Sequence, residues 1–111
     1  MRTDLGMSKG KLVAQGAHVA VINALNSSLN EYHMEKLNAW MNSGMKKIAL
    51  KVASQEELEQ YIREANNKGL MTSTIRDFGL TQVEPDTMTC GAIGPNLCVD
   101  IDAVVGNLKL L

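Results

Sequence analysis

Residues 46–76 read KKIALKVASQEELEQYIREANNKGLMTSTIR, and this stretch decides the fold. Its first part, 46–52, alternates apolar with polar or small residues, which predicts a half-buried β-strand. Ser54 and Glu57 have the spacing of a capping box, so a helix is expected to begin there and to end at Gly69. The residues after Gly69 are rich in threonine and apolar side chains, which predicts a second strand. A strand–helix–strand unit with short loops implies parallel pairing if both strands lie in one sheet.

Two helices are predicted before this unit. Over 8–30, Ser8 is the expected N-cap, and an apolar stripe with three- and four-residue spacing predicts a helix that faces the core. The stripe consists of Val13, Ala17, Ala20, Val21, Ala24 and Leu25. The second helix is expected over 31–43, and its inward residues are Met34, Leu37, Trp40 and Met41.

The C-terminal third predicts a strand over Thr87–Gly94, a short helix over Asn96–Val105 and an extended tail over 107–111. The chain has 111 residues, of which 45% are hydrophobic and 21% charged, and these values are ordinary for one globular domain. We therefore expect a single three-layer α/β domain over residues 1–111, with a small mixed β-sheet and helices on both faces.

Composition excludes several classes of protein. The sequence contains no apolar run of membrane-spanning length and no apolar secretory segment after its first residues, which favours a cytoplasmic protein without a membrane partner. Its two cysteines, Cys90 and Cys98, have neither zinc-ligand nor disulfide-framework spacing, so reduced thiols are expected. Seven methionines and an apolar first helix are compatible with self-association, so a homodimer is possible, but the sequence does not decide the oligomeric state.

Charge is distributed unevenly along the chain. The formal net charge is −1, but residues 1–51 hold seven Lys or Arg against three Asp or Glu, a net charge of +4, whereas residues 52–111 carry −5. A basic half is compatible with an anionic partner, because the local field depends on where charges cluster. A solvated surface is the alternative explanation for these lysines.

The first helix carries an aligned polar row. Lys11, Gln15 and His18 are spaced i, i+4, i+7 and point to one side of the helix. Lys9 and Gly10 lie in the first turn, where free backbone N–H groups and the helix dipole favour an anion. The row indicates either an oxyanion or phosphate site or the solvated face of the helix.

The residue spacing disfavours two other kinds of site, a nucleotide-binding P-loop and a catalytic zinc centre. The stretch from Gly6 to Leu12 has too few residues between its glycines for a nucleotide P-loop, and Leu12 stands where a Mg²⁺-binding Ser or Thr is required. A zinc hydrolase is also disfavoured, because His18 and His33 are too far apart for two ligands on one helix.

A second group of polar residues follows the strand that ends near Asp77. Thr81 and Gln82 lie in the loop behind it, and Thr89 enters the next strand. Strand ends that open into loops collect ligand sites in α/β sheets, so a carboxylate and hydroxyls could orient a water or a ribose hydroxyl there. Ordinary turn and strand chemistry would give the same residues.

At this point the sequence resembles a known family. The resemblance is carried by residues 2–7 and 10–18, by residues 40–44 with 47–52, by residues 75–83, and by residues 87–95. These blocks, in this order, are similar to the type II peptidyl-tRNA hydrolases of archaea and eukaryotes. The family pattern has a longer apolar strand before Arg2, so we expect a truncated first strand.

The resemblance implies hydrolysis of the ester that joins a peptide to the 3′ end of tRNA, without a cofactor or metal. Its implied functional residues are Lys11, Asp77, Thr81 and Thr89, with Gln15, His18 and Gln82 in support. Implied contacts to the substrate come from Arg2, Lys9, Gly10, Lys47, Lys51 and Gln82.

In this interpretation Asp77 orients or deprotonates a water, while Lys11 neutralises the oxyanion or an adjacent phosphate. The threonine hydroxyls hold the ribose end. The alternative is a non-catalytic RNA- or protein-binding module on the same fold, which would bind tRNA and leave the ester intact.

Overall fold

A computed structural model of the chain describes residues 1–77, 84 and 86–111. Its elements, in chain order, are α1 (Lys9–Ser27), α2 (Glu31–Asn42), α3 (Gln55–Asn67), β1 (Thr72–Asp77), β2 (Thr87–Ile93) and α4 (Cys98–Val105). The expected mixed α/β class is confirmed.

Side-chain caps fix where two of the helices begin. The Ser8 hydroxyl accepts a hydrogen bond from the Lys11 backbone N–H at 3.3 Å, and the Ser54 hydroxyl accepts one from the Glu57 N–H at 3.1 Å. The Glu57 carboxylate accepts in turn from the backbone N–H of Ala53 at 2.8 Å. Both caps were predicted, and each satisfies a backbone donor that would otherwise lack a helical partner.

The sheet is built around one antiparallel ladder. β1 pairs with β2 from Thr72 opposite Ile93 to Asp77 opposite Thr87, with an irregularity between Ile75 and Arg76. In the part of the chain that the structure describes, β1 has no ladder with 46–52, so the two predicted strands are not direct neighbours.

The predicted strand 46–52 forms only isolated bridges. Val52 bridges Arg2 in parallel and Leu50 bridges Leu110 in antiparallel fashion. The Arg2 backbone N–H donates to the Thr89 carbonyl at 3.1 Å, so the first residues lie between β2 and the 50–52 segment. The first residues thus form one bridge at Arg2 and no regular strand, and segment 46–52 forms no regular ladder.

Helices cover both faces of the sheet. On one face, α1 packs Val19 and Ile22 against Ile75 and Cys90. On the other face α3 lies so close to β2 that a Cβ on Gly91 would stand 2.8 Å from the Ile62 Cδ1 atom, which explains why glycine is needed there. Adjacent residues of a strand point to opposite faces, and the arrangement is therefore helix, sheet, helix.

The remaining core joins α3 to its neighbours. Leu58 packs with Val52 and Met88, while Ala65 packs with Leu70 and Val104 of α4. On α2, Leu37 is buried as predicted, but Met41 is 53% exposed and does not face inward. No helix in the described part of the chain is long and apolar enough to cross a membrane.

The orientation predicted for α1 is wrong. Val13, Val21 and Leu25 were expected to face the core, yet they are 72%, 60% and 63% exposed. The buried face instead carries Gln15, Val19, Asn23 and Ser27.

Hydrogen bonds explain this inversion. The Asn23 amide donates to the Gly94 carbonyl, and its oxygen accepts from the Ser73 hydroxyl at 2.6 Å. The Ser27 hydroxyl donates to the Asn23 carbonyl at 2.8 Å. Polar side chains can be buried without a large penalty when they are paired, so they occupy the inner face and leave the apolar stripe in solvent.

Candidate active site

Lys11 and Asp77 form a buried ion pair. Lys11 comes from the first turn of α1 and Asp77 is the last residue of β1, and the Lys11 ammonium donates directly to the Asp77 carboxylate. Their side chains are only 9% and 8% exposed. The two groups that the sequence placed in separate constellations therefore meet.

The two buried charges compensate each other. Removing one partner of a buried ion pair leaves the other charge uncompensated, which is strongly destabilising. Lys11 belongs to the first turn of α1, and a helix N-terminus carries a partial positive charge.

A chain of hydrogen bonds joins α1 to the two strands near the ion pair. The Gln15 amide, one turn after Lys11, donates to the Thr89 hydroxyl at 2.7 Å, and that hydroxyl donates to the Ile75 carbonyl at 3.4 Å. Thr89 is fully buried. Both functions of its hydroxyl are used inside the protein, which favours a positioning role over direct contact with a ribose.

The neighbouring thiol is not an activated nucleophile. Cys90 is 1% exposed, and its thiol donates weakly to the Gln15 carbonyl at 3.6 Å. Burial raises the pKa of this thiol above its usual value. A protonated thiol attacks carbonyl carbons poorly, so Cys90 is a poor candidate for a nucleophile.

The other predicted residues on α1 lie outside this cluster. His18 is exposed, and the described residues give its imidazole no hydrogen bond. Lys9 and Gly10 are exposed at the start of the helix, on the same turn as Lys11. Thr81 and Gln82 lie outside the described residues.

Arg2 has a structural position that the sequence did not indicate. Its guanidinium donates to the Asp4 carboxylate at 2.7 Å, to the Met88 carbonyl at 2.9 Å and to Gln55 at 3.4 Å. The hydrogen bond from Arg2 lowers the pKa of Asp4, and the same bond raises the pKa of Arg2. These bonds tie the start of the chain to β2 and to α3, so the guanidinium already has partners within the protein.

The remaining predicted substrate contacts are exposed lysines on the 46–52 segment. Lys51 lines an open cavity of about 400 Å³ together with Lys109, Thr3 and Tyr61. The Lys47 ammonium lies 4.8 Å from the centre of the Trp40 ring. Among the described residues, no three His, Cys, Asp or Glu side chains gather in a group that could hold a metal ion.

Fold and site together define an α/β protein with a buried ammonium–carboxylate pair between the start of α1 and the end of β1. The chain belongs to the family described as Peptidyl-tRNA hydrolase PTH2, which matches residues 1–111.

Relatives with the name peptidyl-tRNA hydrolase agree with this assignment. The chain is 43% identical over 111 residues to one from Metallosphaera sedula and 45% identical over 111 residues to one from Methanocaldococcus jannaschii. In both cases the aligned region covers 100% of this chain and 95% of the relative. A third, from Sulfurisphaera tokodaii, is 46% identical over 114 residues, covering 100% of this chain and 93% of the relative.

Proposed function

We propose that the chain is a peptidyl-tRNA hydrolase, which cleaves the ester between a peptide, or an N-blocked amino acid, and the 3′ end of tRNA, and so recycles tRNA. Residues 1–111 would act as one hydrolase domain. The observation that supports this most directly is the buried contact between Lys11 and Asp77 at the N-terminus of α1, in a chain of the PTH2 family.

In the proposed reaction, Asp77 and Lys11 have different roles. Asp77 orients a water molecule and accepts its proton as the water oxygen attacks the ester carbonyl. Lys11 stabilises the negative charge that develops on the carbonyl oxygen, or that of an adjacent phosphate. The ester bond then breaks, the ribose oxygen takes up the proton, and the products are a peptide carboxylic acid and tRNA. Such an ester is already activated, so positioning and charge stabilisation suffice.

Gln15 and Thr89 are proposed as positioning residues. The 2.7 Å bond between them fixes the side of α1 that carries Lys11 against the strand that follows the site. Thr81, Gln82 and His18 complete the proposed set, with Thr81 at the ribose end and His18 as a secondary contact. The proposed mechanism uses no cofactor and no metal.

The rest of the tRNA is proposed to contact the basic half of the chain. Lys9, Gly10, Lys47 and Lys51 are exposed and can meet phosphates, whereas Arg2 would act by holding the N-terminal residues in place. Binding through phosphates weakens as salt rises. Because the substrate arises on ribosomes, we place the protein in the cytoplasm.

We further propose a homodimer through the exposed side of α1. Val13, Val21, Leu25 and Leu29 follow one another at four- or eight-residue spacing and are 60–83% exposed. A ridge of residues four apart packs into the same ridge of a second helix, and an exposed apolar stripe of this length is unusual for a monomer. An antiparallel copy centred on Val21 would also bring the basic start of one helix near Glu31 of the other copy, which follows its C-terminus.

One incubation tests the activity. Purified protein is mixed with N-acetylated aminoacyl-tRNA, with and without EDTA, and release of the N-acetylated amino acid is followed against uncatalysed hydrolysis. We expect turnover that EDTA leaves unchanged. Binding of tRNA without ester cleavage would favour the non-catalytic alternative, and loss of turnover on chelation would contradict the metal-free mechanism.

A further inference from the structure

α2 carries a row of alternating aromatic and cationic side chains away from the site. Tyr32, Lys36 and Trp40 are four residues apart and therefore share one ridge of the helix. The Lys36 ammonium lies 5.2 Å from the centre of the Tyr32 ring, and the Lys47 ammonium lies 4.8 Å from the centre of the Trp40 ring. We call these four residues the α2 ladder.

The rings of the ladder are held in place. The Trp40 indole N–H donates to the Lys46 carbonyl at 2.7 Å, and the Tyr32 hydroxyl accepts from Asn96 at 3.3 Å. The indole has one donor, which is used, and the Lys47 ammonium lies over one face of its ring, so the opposite face is what it can still offer to a ligand. Tyr32 is 50% exposed, and Trp40 is partly exposed.

The lysine side chains of the ladder have N–H groups that can still donate hydrogen bonds to a ligand. The Lys47 ammonium donates to the Met45 carbonyl at 2.9 Å, and an ammonium has three N–H groups. Contact with a ring face fixes the position of a lysine amine without neutralising it. The ladder therefore presents ordered positive charges beside aromatic surface.

Charge identifies the kind of partner that fits this surface. Residues 36–53 contain four lysines, Lys36, Lys46, Lys47 and Lys51, and no Asp or Glu. Along a helix the ladder from Tyr32 to Trp40 is about 12 Å long, which matches roughly three to four nucleotides of a stacked strand. Phosphates and stacked bases are the ligand chemistry that combines these two features.

The same basic segment leads to the active site. It continues from the ladder through Lys51 to Val52, which bridges Arg2, and the Arg2 N–H bonds to the carbonyl of Thr89. One RNA could therefore contact the ladder and extend along this segment toward the ion pair, although the Asp4 carboxylate that pairs with Arg2 lies on the same route.

We propose that the α2 ladder binds the tRNA part of the substrate at a distance from the ester, with phosphates on Lys36, Lys46 and Lys47 and an unpaired base against Trp40. This inference rests on the proposed function, because it assigns a site to the partner of that reaction.

Salt-dependent binding is the first test. Deacylated tRNA is bound to the parent protein and to the double variant Lys36→Gln/Lys47→Gln over a range of KCl concentrations. The slope of log Kd against log salt should fall by about 1.4 to 1.8 in the variant, since each of the two lost phosphate contacts contributes roughly 0.7 to 0.9. The matched control is Lys68→Gln, an exposed lysine at the end of α3, which should keep the parent slope. An unchanged slope in the double variant would contradict the proposal.

Tryptophan emission gives an independent readout. Trp40 is the only tryptophan, so its emission reports the ladder alone. We expect saturable quenching by deacylated tRNA at the same Kd as in the binding titration. Emission that does not change at saturation would contradict base contact at Trp40. Displacement of the tRNA by poly-glutamate as readily as by a second tRNA would mean a general anion surface and would also overturn the proposal.

Kinetics separate this inference from the activity itself. With intact N-acetylated aminoacyl-tRNA, the double variant should show a higher KM than the parent. The increase in KM should be smaller when the same ester is carried by a 3′-terminal trinucleotide, which is too short to contact both the ladder and the ion pair. A parent protein without turnover would contradict the proposed function. A parent that turns over, with an equal loss on both substrates in the variant, would contradict only the ladder.

Discussion

Replacing Lys11 by Met removes the ammonium and keeps much of the side-chain volume. Loss of one oxyanion-stabilising donor typically costs about 2.7–4 kcal/mol of transition-state stabilisation, which corresponds to roughly a 100- to 1,000-fold fall in kcat/KM. The same substitution should also destabilise the fold, because the Asp77 carboxylate is 8% exposed and would lose its cationic partner.

The stability cost can be worked out from that burial. Breaking a buried ion pair by removing one partner costs about 3–5 kcal/mol, a large share of the roughly 5–15 kcal/mol that stabilises a typical domain. We expect a fall in Tm of more than about 10 °C for Lys11→Met. Adding Asp77→Asn to Lys11→Met should restore most of this loss, since no buried charge is then left unpaired.

Activity and stability are measured separately so that unfolding is not mistaken for lost catalysis. kcat/KM for N-acetylated aminoacyl-tRNA is determined well below the Tm of each variant, and urea unfolding gives the free energy of unfolding. Lys9→Met, an exposed lysine of the same helical turn, is the matched control and should keep its Tm. A folded Lys11→Met variant with kcat/KM within about threefold of the parent would refute the assigned role.

Four further predictions follow from buried and exposed groups. Thr89→Val keeps the shape of a fully buried side chain but leaves the Gln15 amide without its acceptor, so unfolding should become easier by about 1–3 kcal/mol and kcat should fall, as urea titration and kinetics would show. Cys98 is exposed and Cys90 buried with a raised pKa, so a thiol reagent followed by mass spectrometry should modify Cys98 first; equal rates would contradict the burial. The raised pKa means that the folded state holds the Cys90 proton, so stability should fall as pH rises above about 8.5, and less so in Cys90→Ala. Val21→Glu should turn the dimer into a folded monomer by light scattering, whereas a parent that is already monomeric would contradict the α1 interface.

Local sequence signals recovered the helices and their ends, because caps depend on residues within one turn. Ser8 and Ser54 bond to backbone groups three residues ahead, and this spacing is visible in the sequence. The same holds for Gly106, which follows the last residue of α4 as predicted.

The inner face of α1 could not be predicted in this way. Periodicity favoured the apolar stripe, but the partners that make burial of Gln15 and Asn23 favourable are Thr89 and Ser73, far away in the sequence. A hydrophobic pattern predicts which apolar side chains are buried. It does not predict which polar side chains are buried because distant residues supply their hydrogen-bond partners. The sequence did contain one indication of the buried face, because Gln15, Val19, Asn23 and Ser27 are each four residues apart and so share one side of the helix.

The candidate site was predictable in its residues but not in its roles. The helix-start argument for Lys11 and the strand-end argument for Asp77 both came from local pattern, and the structure joins these two side chains directly. That Thr89 is fully buried, and that Arg2 is bonded to Gln55 and Met88, depends on how β2 pairs with the first residues of the chain. Such pairings are long-range and leave no local trace.

The most direct test of the proposed catalysis is a double-mutant cycle on kcat/KM with Lys11→Met, Asp77→Asn and the combination of the two. If both groups act on the same ester, each single variant should lose about 100-fold or more, and the combination should lose little beyond the worse single variant. Losses that multiply, or single variants that hydrolyse N-acetylated aminoacyl-tRNA at the parent rate, would mean that the ion pair is not the centre of catalysis.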